Sequence, residues 1–397
     1  ATGNGHGDVR TGNTLEIRTS GLKAVNVGNF ANYRFILPEK TPAGTTVLTL
    51  TDAGGTDISH SSVGVAVAGG KPLLRTGDSV TLLANEHGLK AEGMTQQRLS
   101  GQQGVFVTYD FDLKTTDTSL LATVTDSVQP RGREGGPSGD AGARLAPQAK
   151  APLEGVLAGV ALGNIGADLV AGKGMDQARA ATATGGDAPA WGIAPFAAVT
   201  GTRSRYQTGS HVDLSGVAFM TGFAKRVETS MMDILAGVFF EAGFARMNTR
   251  NSFSGEPSVD GDGRSSYYGG GLLARLDLKE DLLKGLYLEG SFRYGRLSSQ
   301  WQSDDLHDAV SGRKAEYDLS TPYYGLHAGL GYVWDMTEDL RLDVYGKYFW
   351  THTDGQSTHI VDDPWSFDGV DSQRLRLGAR LGYDFSRQVT GYAGAAW

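Results

Sequence analysis

Three segments between residues 286 and 385 alternate apolar and polar residues with a period of two. Because successive side chains of a strand point to opposite faces, each segment predicts a strand with one apolar and one charged face. The charged face carries Glu289, Arg293, Arg341, Asp343, Lys347, Arg374, Arg376, Arg380 and Asp384. A soluble β-sandwich alternates in the same way, so the lengths of the segments and the residues at their ends decide which face meets water.

The lengths and ends of these segments favour strands that cross a membrane. About ten residues at roughly 3.3 Å each, tilted near 45°, cover about 23 Å, which is close to the height of the apolar band of a bilayer. Aromatic residues lie toward the ends, with Tyr332 and Trp334 in one segment and Tyr348 and Trp350 in another, as belts at lipid headgroups require. The charged face then lines a polar interior, where buried charges need partners of opposite sign.

The same pattern recurs through the C-terminal half and predicts nine strands. They lie at residues 191–200, 214–225, 234–246, 267–278, 286–297, 323–334, 340–351, 374–385 and 390–397. Short connections alternate with long polar ones, and the long ones are predicted as loops at residues 202–211, 248–266, 298–319 and 352–373. Short turns on one side and long loops on the other are typical of an antiparallel transmembrane β-barrel of the outer membrane.

One helix is predicted before the strands. Apolar residues recur at three- and four-residue steps over residues 151–171, and four interior glycines weaken the helical preference of the segment. Glu154, Asn164 and Asp168 give this helix a mild polarity that suits a water-filled interior. An ordinary surface helix is the alternative.

The first 125 residues hold short β-type runs separated by Gly, Asn and Pro. The runs lie at residues 15–18, 33–37, 46–50, 63–67, 79–83, 105–111 and 120–124. They are too short and irregular for barrel strands, and they favour the stacked rungs of the end of a β-solenoid, with a β-sandwich as the alternative. Residues 126–150 are rich in Pro, Gly, Arg, Ser and Ala, and this composition predicts a flexible linker.

The composition narrows the class of protein. The 397 residues include 57 glycines and no cysteine, with a net charge of -8. The absence of cysteine slightly favours an exported protein. The mildly acidic charge balance provides no basic surface for binding nucleic acid. No run of about eighteen apolar residues exists, so no helical membrane span is predicted. The chain begins at Ala1 without a signal segment, so we expect that an upstream part has been removed.

Candidate catalytic and metal-binding residues are sparse. His352 and His359 form the one close histidine pair in the sequence, without a convincing third ligand. Ser79 follows Gly77 and Asp78, but no strand-to-helix elbow follows this serine. We therefore predict no catalytic site, no metal site and no cofactor.

Three stretches resemble the autotransporter family of type V secretion. Residues 29–38 (NFANYRFILP) resemble the pertactin-like cap of a passenger β-helix, and residues 158–170 (AGVALGNIGADLV) resemble the helix that lies in the pore. Residues 205–216 (RYQTGSHVDLSG) resemble the junction between the first two barrel strands, and they are the most specific of the three. The resemblance covers nearly the whole chain.

This resemblance implies a division of the chain. Residues 1–125 would be the end of the passenger, 126–150 the linker, 151–172 the pore helix and 190–397 the barrel. The family pattern has about twelve strands, within the range of such barrels, so the nine strands predicted here imply a C-terminally truncated barrel. Some family members cut their own helix at an asparagine, and Asn164 is the candidate here, although it lacks the adjacent second asparagine of those members.

The resemblance also implies a function. The chain would be an outer-membrane translocator that brings its own N-terminal passenger to the surface of a Gram-negative bacterium. Its expected partners are outer-membrane lipid, the barrel-assembly machinery and the passenger itself, with no nucleic acid. Because no P-loop is present, folding of the solenoid outside the cell is expected to bias the movement outward. The alternatives are a surface adhesin whose binding passenger, with a host-surface ligand, lies upstream, and an upstream protease or esterase.

Overall fold

Short strands in the N-terminal third of the chain stack in parallel, coil on coil. The computed structural model describes residues 11–69, 73–92, 98–125, 142–183, 192–280, 283–386 and 389–397. Its first twelve strands are β1 (Thr14–Ile17), β2 (Leu22–Ala24), β3 (Asn32–Leu37), β4 (Thr46–Leu50), β5 (Thr56–Asp57), β6 (Ser62–Val67), β7 (Ser79–Asn85), β8 (Leu89–Lys90), β9 (Arg98–Gln103), β10 (Val107–Thr115), β11 (Ser119–Val124) and β12 (Ala143–Leu145).

The parallel pairing makes this part a β-solenoid. One face is built from β1, β3 and β6, a second from β2, β4 and β7, and a third from β5 and β8. Thr14 pairs with Asn32, and Asn32 pairs with Ser62, so each coil brings the chain back to the same face one strand further along. The solenoid predicted from the sequence is therefore confirmed, and all seven predicted strands are present.

An antiparallel hairpin closes the end of the solenoid. β10 pairs with β9 on one side and β11 on the other, while β11 pairs with β7, so the hairpin joins two solenoid faces into one ten-stranded sheet. Phe35, Leu83, Phe111 and Leu120 are fully buried beneath it. The hairpin covers strand edges that would otherwise expose unpaired backbone groups.

The boundary of the predicted linker needs a correction. Residues 126–141 lie outside the described residues, but β12 pairs with β10, and Pro147–Lys150 form a 3-10 helix. The backbone N–H of Ala146 also donates to the carbonyl of Phe106 at 2.7 Å. Residues 143–150 are thus part of the folded structure, because a partner strand far away in sequence satisfies their backbone groups, and composition gives no sign of it.

The helix is longer than the pattern predicts. After the 3-10 turn, α1 (Ala151–Leu169), a π-helical turn (Val170–Gly174) and α2 (Met175–Ala181) run without a break. The whole element is long and apolar enough to cross a membrane, so the prediction that no helix qualifies was too strict. Within its most apolar stretch 61% of the residues are buried inside the protein, and the apolar residues are explained by packing.

Nine long antiparallel strands curl around this helix. They are β13 (Ile193–Gln207), β14 (His211–Glu228), β15 (Met232–Phe253), β16 (Glu256–Leu278), β17 (Leu286–His307), β18 (Lys314–Asp335), β19 (Leu340–Thr353), β22 (Val370–Ser386) and β23 (Val389–Ala396). A separate hairpin, β20 (Gln356–Ile360) and β21 (Asp363–Phe367), is inserted between β19 and β22. The sheet follows chain order, with β13 and β23 at its edges.

The long loops predicted from the sequence are mostly strand. β15 and β16 have 22 and 23 residues and meet at a tight turn around Gly255, so residues 248–266 form a hairpin instead of a loop. A strand of this length extends about 70 Å at roughly 3.3 Å per residue, far beyond an apolar band of about 25 Å. Outside that band both faces are polar, and the alternation that marks a strand disappears from the sequence.

The outward face of the sheet is apolar across its middle. Leu272, Leu288, Leu326 and Leu330 are each about half exposed on it, which suits contact with lipid chains. Aromatic side chains border this band, and Tyr294 and Tyr324 lie on adjacent strands with ring centroids 5.3 Å apart. The side of the sheet that faces the helix, in contrast, carries charged residues such as Glu241, Glu289 and Arg293.

Candidate functional site in the sheet interior

Glycines let the helix approach the sheet closely. A Cβ atom added to any of four glycines would lie under 3.0 Å from a side-chain atom of the sheet: Gly155, Gly159, Gly166 and Gly174. At Gly166 the clash would be with Tyr267 and Arg293, whereas a Cβ on Gly163 would have nothing within 4 Å. Glycine at these four positions thus leaves room for the sheet side chains against the helix backbone.

A buried ion pair joins the helix to the middle of the sheet. Arg293 and Glu241 are 1% and 0% exposed, and they form a two-pronged contact at 2.8 and 2.9 Å. The hydroxyl of Tyr323 donates to the same carboxylate at 2.7 Å, and Arg293 Nη1 donates to the carbonyl of Gly163 at 3.2 Å. Both charges are therefore satisfied in a site without water access, as buried ions require.

A second cluster surrounds Glu289. Its carboxylate accepts from Arg275 at 2.9 Å and pairs with Lys347 at 2.5 Å, and His327 Nε2 lies 3.4 Å away. Lys347 also donates to the carbonyl of Ala171 in the helix at 2.6 Å. Sequence alternation pointed to Glu289 and Lys347, but Arg275 and His327 were missed.

The helix carboxylate Asp168 faces two arginines of β22. Arg374 and Arg376 contact it at 3.0 and 2.9 Å, and its side chain is 30% exposed. Arg374 Nη2 also donates to the carbonyl of Asn164 at 3.3 Å, and the Asn164 amide donates to Ser372 Oγ at 3.0 Å. Two residues predicted for the pore helix thus contact the same strand.

A further ionic bridge lies near the end of the helix. Arg380 contacts Asp176 of α2 at 2.9 Å and Asp343 of β19 at 3.2 Å. Asp343 also accepts a hydrogen bond from the Tyr287 hydroxyl at 3.0 Å. This arginine therefore links helix and sheet through carboxylates on both.

The remaining predicted residues lie at opposite ends of the interior. Glu154 is buried at the start of α1, where it accepts from Thr208 Oγ1 at 2.9 Å and lies 3.9 Å from Lys150. Arg341 and Asp384 form an ion pair at 2.7 Å, and both side chains are partly exposed. Arg341 lines a cavity of about 1,070 Å³ beside the end of the helix.

Replacing Asp168 with asparagine is expected to lower the free energy of unfolding by about 0.5–1 kcal/mol, because the pair it forms is partly exposed. The helix should also become more accessible to protease, since one of its contacts to β22 is lost. Urea unfolding of the purified chain in detergent, followed by limited proteolysis, measures both effects.

The control for this change is Asp213→Asn, which removes an exposed pair with Arg205 on the outside of the sheet. Its effect on the protease sensitivity of the helix should be nil. Equal sensitivity of the Asp168 and Asp213 variants would contradict a role for Asp168 in holding the helix.

The solenoid contacts the sheet at the end where the helix begins. Asp363 of β21 accepts from the backbone N–H groups of Val105 and Phe106 at 2.8 and 3.3 Å, and Phe106 packs edge-on against Trp365 with centroids 4.8 Å apart. Burial raises the pKa of the Asp363 carboxyl, and the nearby carboxylate of Asp308 raises this pKa further. No motif in the sequence predicts this contact.

Gly104 allows this approach of solenoid and sheet. Its φ is +59°, in the left-handed region that favours glycine, and a Cβ there would clash with the Asp363 carboxylate. The carbonyl of Gly104 accepts from the backbone N–H of Ala309 at 3.1 Å, in the turn between β17 and β18. The β20–β21 hairpin and the turn between β17 and β18 thus both contact the capped end of the solenoid.

A curled antiparallel sheet with an apolar outer belt and a helix in its charged interior defines an outer-membrane β-barrel protein. A family model described as Autotransporter beta-domain matches residues 195–397, just over half of the chain. The chain belongs to the autotransporter family. It is located in the outer membrane of a Gram-negative bacterium, with its N-terminal part at the cell surface, and its barrel is a translocator domain.

Solved structures of two autotransporter barrels are similar to this chain. The beta domain of the Bordetella autotransporter BrkA shares 18% identity with a TM-score of 0.42, over 52% of this chain and 79% of that one. The translocator domain of autotransporter NalP from Neisseria meningitidis shares 14% identity with a TM-score of 0.38, over 54% and 69%. A search of curated protein sequences returns no significant match.

Proposed function

We propose that the protein exports its own N-terminal β-solenoid through the interior that the helix fills, and that folding of the solenoid outside drives the movement. The course of the chain is the observation that supports this. Lys150, before α1, donates to the carbonyl of Thr208 in the turn between β13 and β14, at the end of the sheet where the solenoid lies. Arg179, near the end of α2, lies 3.9 Å from Asp277, almost at the opposite end of β16. The segment after the solenoid thus runs the length of the interior.

Residues 1–125, in this proposal, are the end of the exported passenger, and the helix is the last segment to enter the interior. The direction of movement needs a free-energy source, since the sequence has no nucleotide-binding loop. Burial of one large apolar side chain contributes roughly 1.5–3 kcal/mol, and the solenoid buries Phe35, Leu83 and Phe111 among many others. Once folded and held by Asp363 and Trp365, the solenoid has to unfold before the chain can slide back.

Unfolding the solenoid without changing the chain length tests this proposal. Leu83→Asp puts a carboxylate at a fully buried position, while the control Val25→Asp changes a side chain that is 69% exposed. We expect surface display of an N-terminal epitope tag to slow several-fold in Leu83→Asp and to stay unchanged in Val25→Asp. Accessibility of the tag to external protease, sampled after induction, gives the rate.

The barrel itself serves as an internal control in this experiment. Both variants should show the same shift between boiled and unboiled samples on a gel, because the substitutions lie outside the sheet. Equal display rates for the two variants, with intact barrels, would overturn the folding-driven step and leave a passive pore.

Insertion by the barrel-assembly machinery is part of the same proposal, since an outer-membrane barrel needs a route into the membrane. Cleavage of the helix at Asn164 stays a prediction. The carboxylate nearest to it along the helix, Asp168, is engaged by Arg374 and Arg376. A ligand or an enzymatic activity of an upstream passenger also stays a prediction.

A further inference from the structure

Two arginines lie directly opposite each other on the outward face of the sheet. Arg246 of β15 and Arg264 of β16 are register partners, and both are exposed. Like charges in directly opposed positions of a sheet repel each other. Among the described residues neither guanidinium has a carboxylate within 4.0 Å, whereas Arg250 of the same strand pairs with Asp260. Neither positive charge is therefore balanced by a carboxylate in the described part of the chain.

The space in front of these arginines has room for a ligand. Both line a groove of about 480 Å³, together with Ser266, Ser298 and Gln300. Ser266 adds a hydroxyl beside the two guanidinium groups, whereas the Ser298 hydroxyl donates to Ser320 Oγ at 3.1 Å and the Gln300 amide donates to Asp318 at 2.9 Å. Arginine presents planar, paired N–H groups that match phosphate oxygens.

The lower rim of the groove is apolar. Phe244, one row below Arg246 on the same face, is 55% exposed and stacks against Phe219 with ring centroids 6.4 Å apart. Tyr268 of β16 is exposed on the same side at 54%. The arginines thus lie just above the aromatic border, at the depth where lipid headgroups meet acyl chains.

The groove faces the outer leaflet. The turn between β15 and β16 is at the solenoid end of the sheet, where Glu256 accepts from Gln148 at 3.3 Å. The N-terminal part is at the cell surface, so this end is extracellular. The outer leaflet of this membrane is made of phosphorylated glycolipid, which combines phosphate groups with acyl chains at this depth.

We propose that Arg246 and Arg264 bind a phosphate group of the outer-leaflet glycolipid, whose acyl chains lie against Phe244 and Phe219. One phosphate between the two guanidinium groups removes their repulsion and supplies the missing anion. The lipid then becomes a fixed neighbour of the β15–β16 hairpin. This inference concerns the outside of the barrel and is independent of the export mechanism.

Binding of defined lipids to the full chain in detergent tests the site. The probes are bisphosphorylated lipid A, the same lipid with both phosphates removed, and inorganic phosphate, with bound lipid counted by native mass spectrometry. We expect Arg246→Gln/Arg264→Gln to weaken binding of bisphosphorylated lipid A at least tenfold. The control Arg250→Gln, outward on the same strand and already paired, should leave the affinity unchanged.

The unsubstituted chain provides a second, independent measurement. It should bind the dephosphorylated lipid at least tenfold more weakly than lipid A, and millimolar inorganic phosphate should not displace the lipid. Equal binding of both lipids, or equal binding by the double variant and the control, would overturn the phosphate contact. Displacement by inorganic phosphate would instead assign the groove to free anions and overturn the lipid.

Discussion

Replacing Arg293 with methionine is expected to lower the free energy of unfolding by about 3–5 kcal/mol, because it leaves a buried carboxylate without its counter-ion. Glu241 is fully buried, and two arginine nitrogens and the Tyr323 hydroxyl satisfy it. Methionine fills similar space but donates no hydrogen bond. The contact from Arg293 to the helix carbonyl at Gly163 is lost as well.

Urea unfolding of the chain in detergent, followed by tryptophan fluorescence, measures this effect. The control Arg296→Met lies on the same strand but faces outward, exposed, and should change the unfolding free energy by less than about 0.5 kcal/mol. A double variant, Arg293→Met with Glu241→Leu, should recover most of the loss, since an apolar replacement of a buried pair is often neutral. Equal effects of Arg293→Met and Arg296→Met would mean that the pair contributes little.

The second large effect is expected at Gly166. Alanine there is expected to destabilise the protein by about 1–3 kcal/mol, because overpacking forces neighbouring side chains to move. The added Cβ would lie about 2.5 Å from Arg293 Nη2, and Tyr267 and Arg293 are themselves held by packing and by the ion pair. The helix should then loosen from the sheet, which limited proteolysis of the intact chain detects.

Gly163 offers a matched control for this change one turn away. A Cβ at Gly163 has nothing within 4 Å, so alanine there should stabilise the helix by roughly 0.5–1 kcal/mol through its higher helix propensity. The two variants carry the same chemical change in the same helix, and only the surroundings differ. Stabilisation at both positions would show that the helix does not lie against the sheet at Gly166.

Alternation in the sequence was enough to predict the nine strands and the polar face of three of them. Alternation did not single out Glu241, because the two residues before it are both phenylalanine. Phe239 faces the helix and Phe240 faces the lipid, so the sequence shows an apolar residue on each face of the strand. Arg275 was missed because glycines interrupt the alternation earlier in β16. Which charged residues pair depends on which strands face each other across the interior. The alternation within one strand does not show this.

Contacts between distant parts of the chain lay beyond the sequence pattern for the same reason. Asp363 and Val105 are separated by 258 positions, and neither stands in a motif that marks the partner. The outer halves of β15 and β16 read as loops because inward positions such as Thr249, Asn251 and Ser265 are polar although they are buried, so apolar and polar residues do not alternate. The helix was found, but its length depended on the Arg380 and Lys347 contacts that stabilise its second half.

The glycines of the helix affect when the helix forms. Each costs roughly 1 kcal/mol of helix stability relative to alanine, so Gly155, Gly159, Gly163 and Gly166 leave the free segment with little structure to melt. In the export that we propose, a segment without a helix is narrow and flexible, so it can follow the passenger through the interior of the barrel. Only when Tyr317, Tyr267 and Arg293 close over the bare backbone does the helix become stable. In that proposal the same glycines let the segment pass in an extended form and then let it pack as the helix that fills the interior, so formation of the helix marks the end of export.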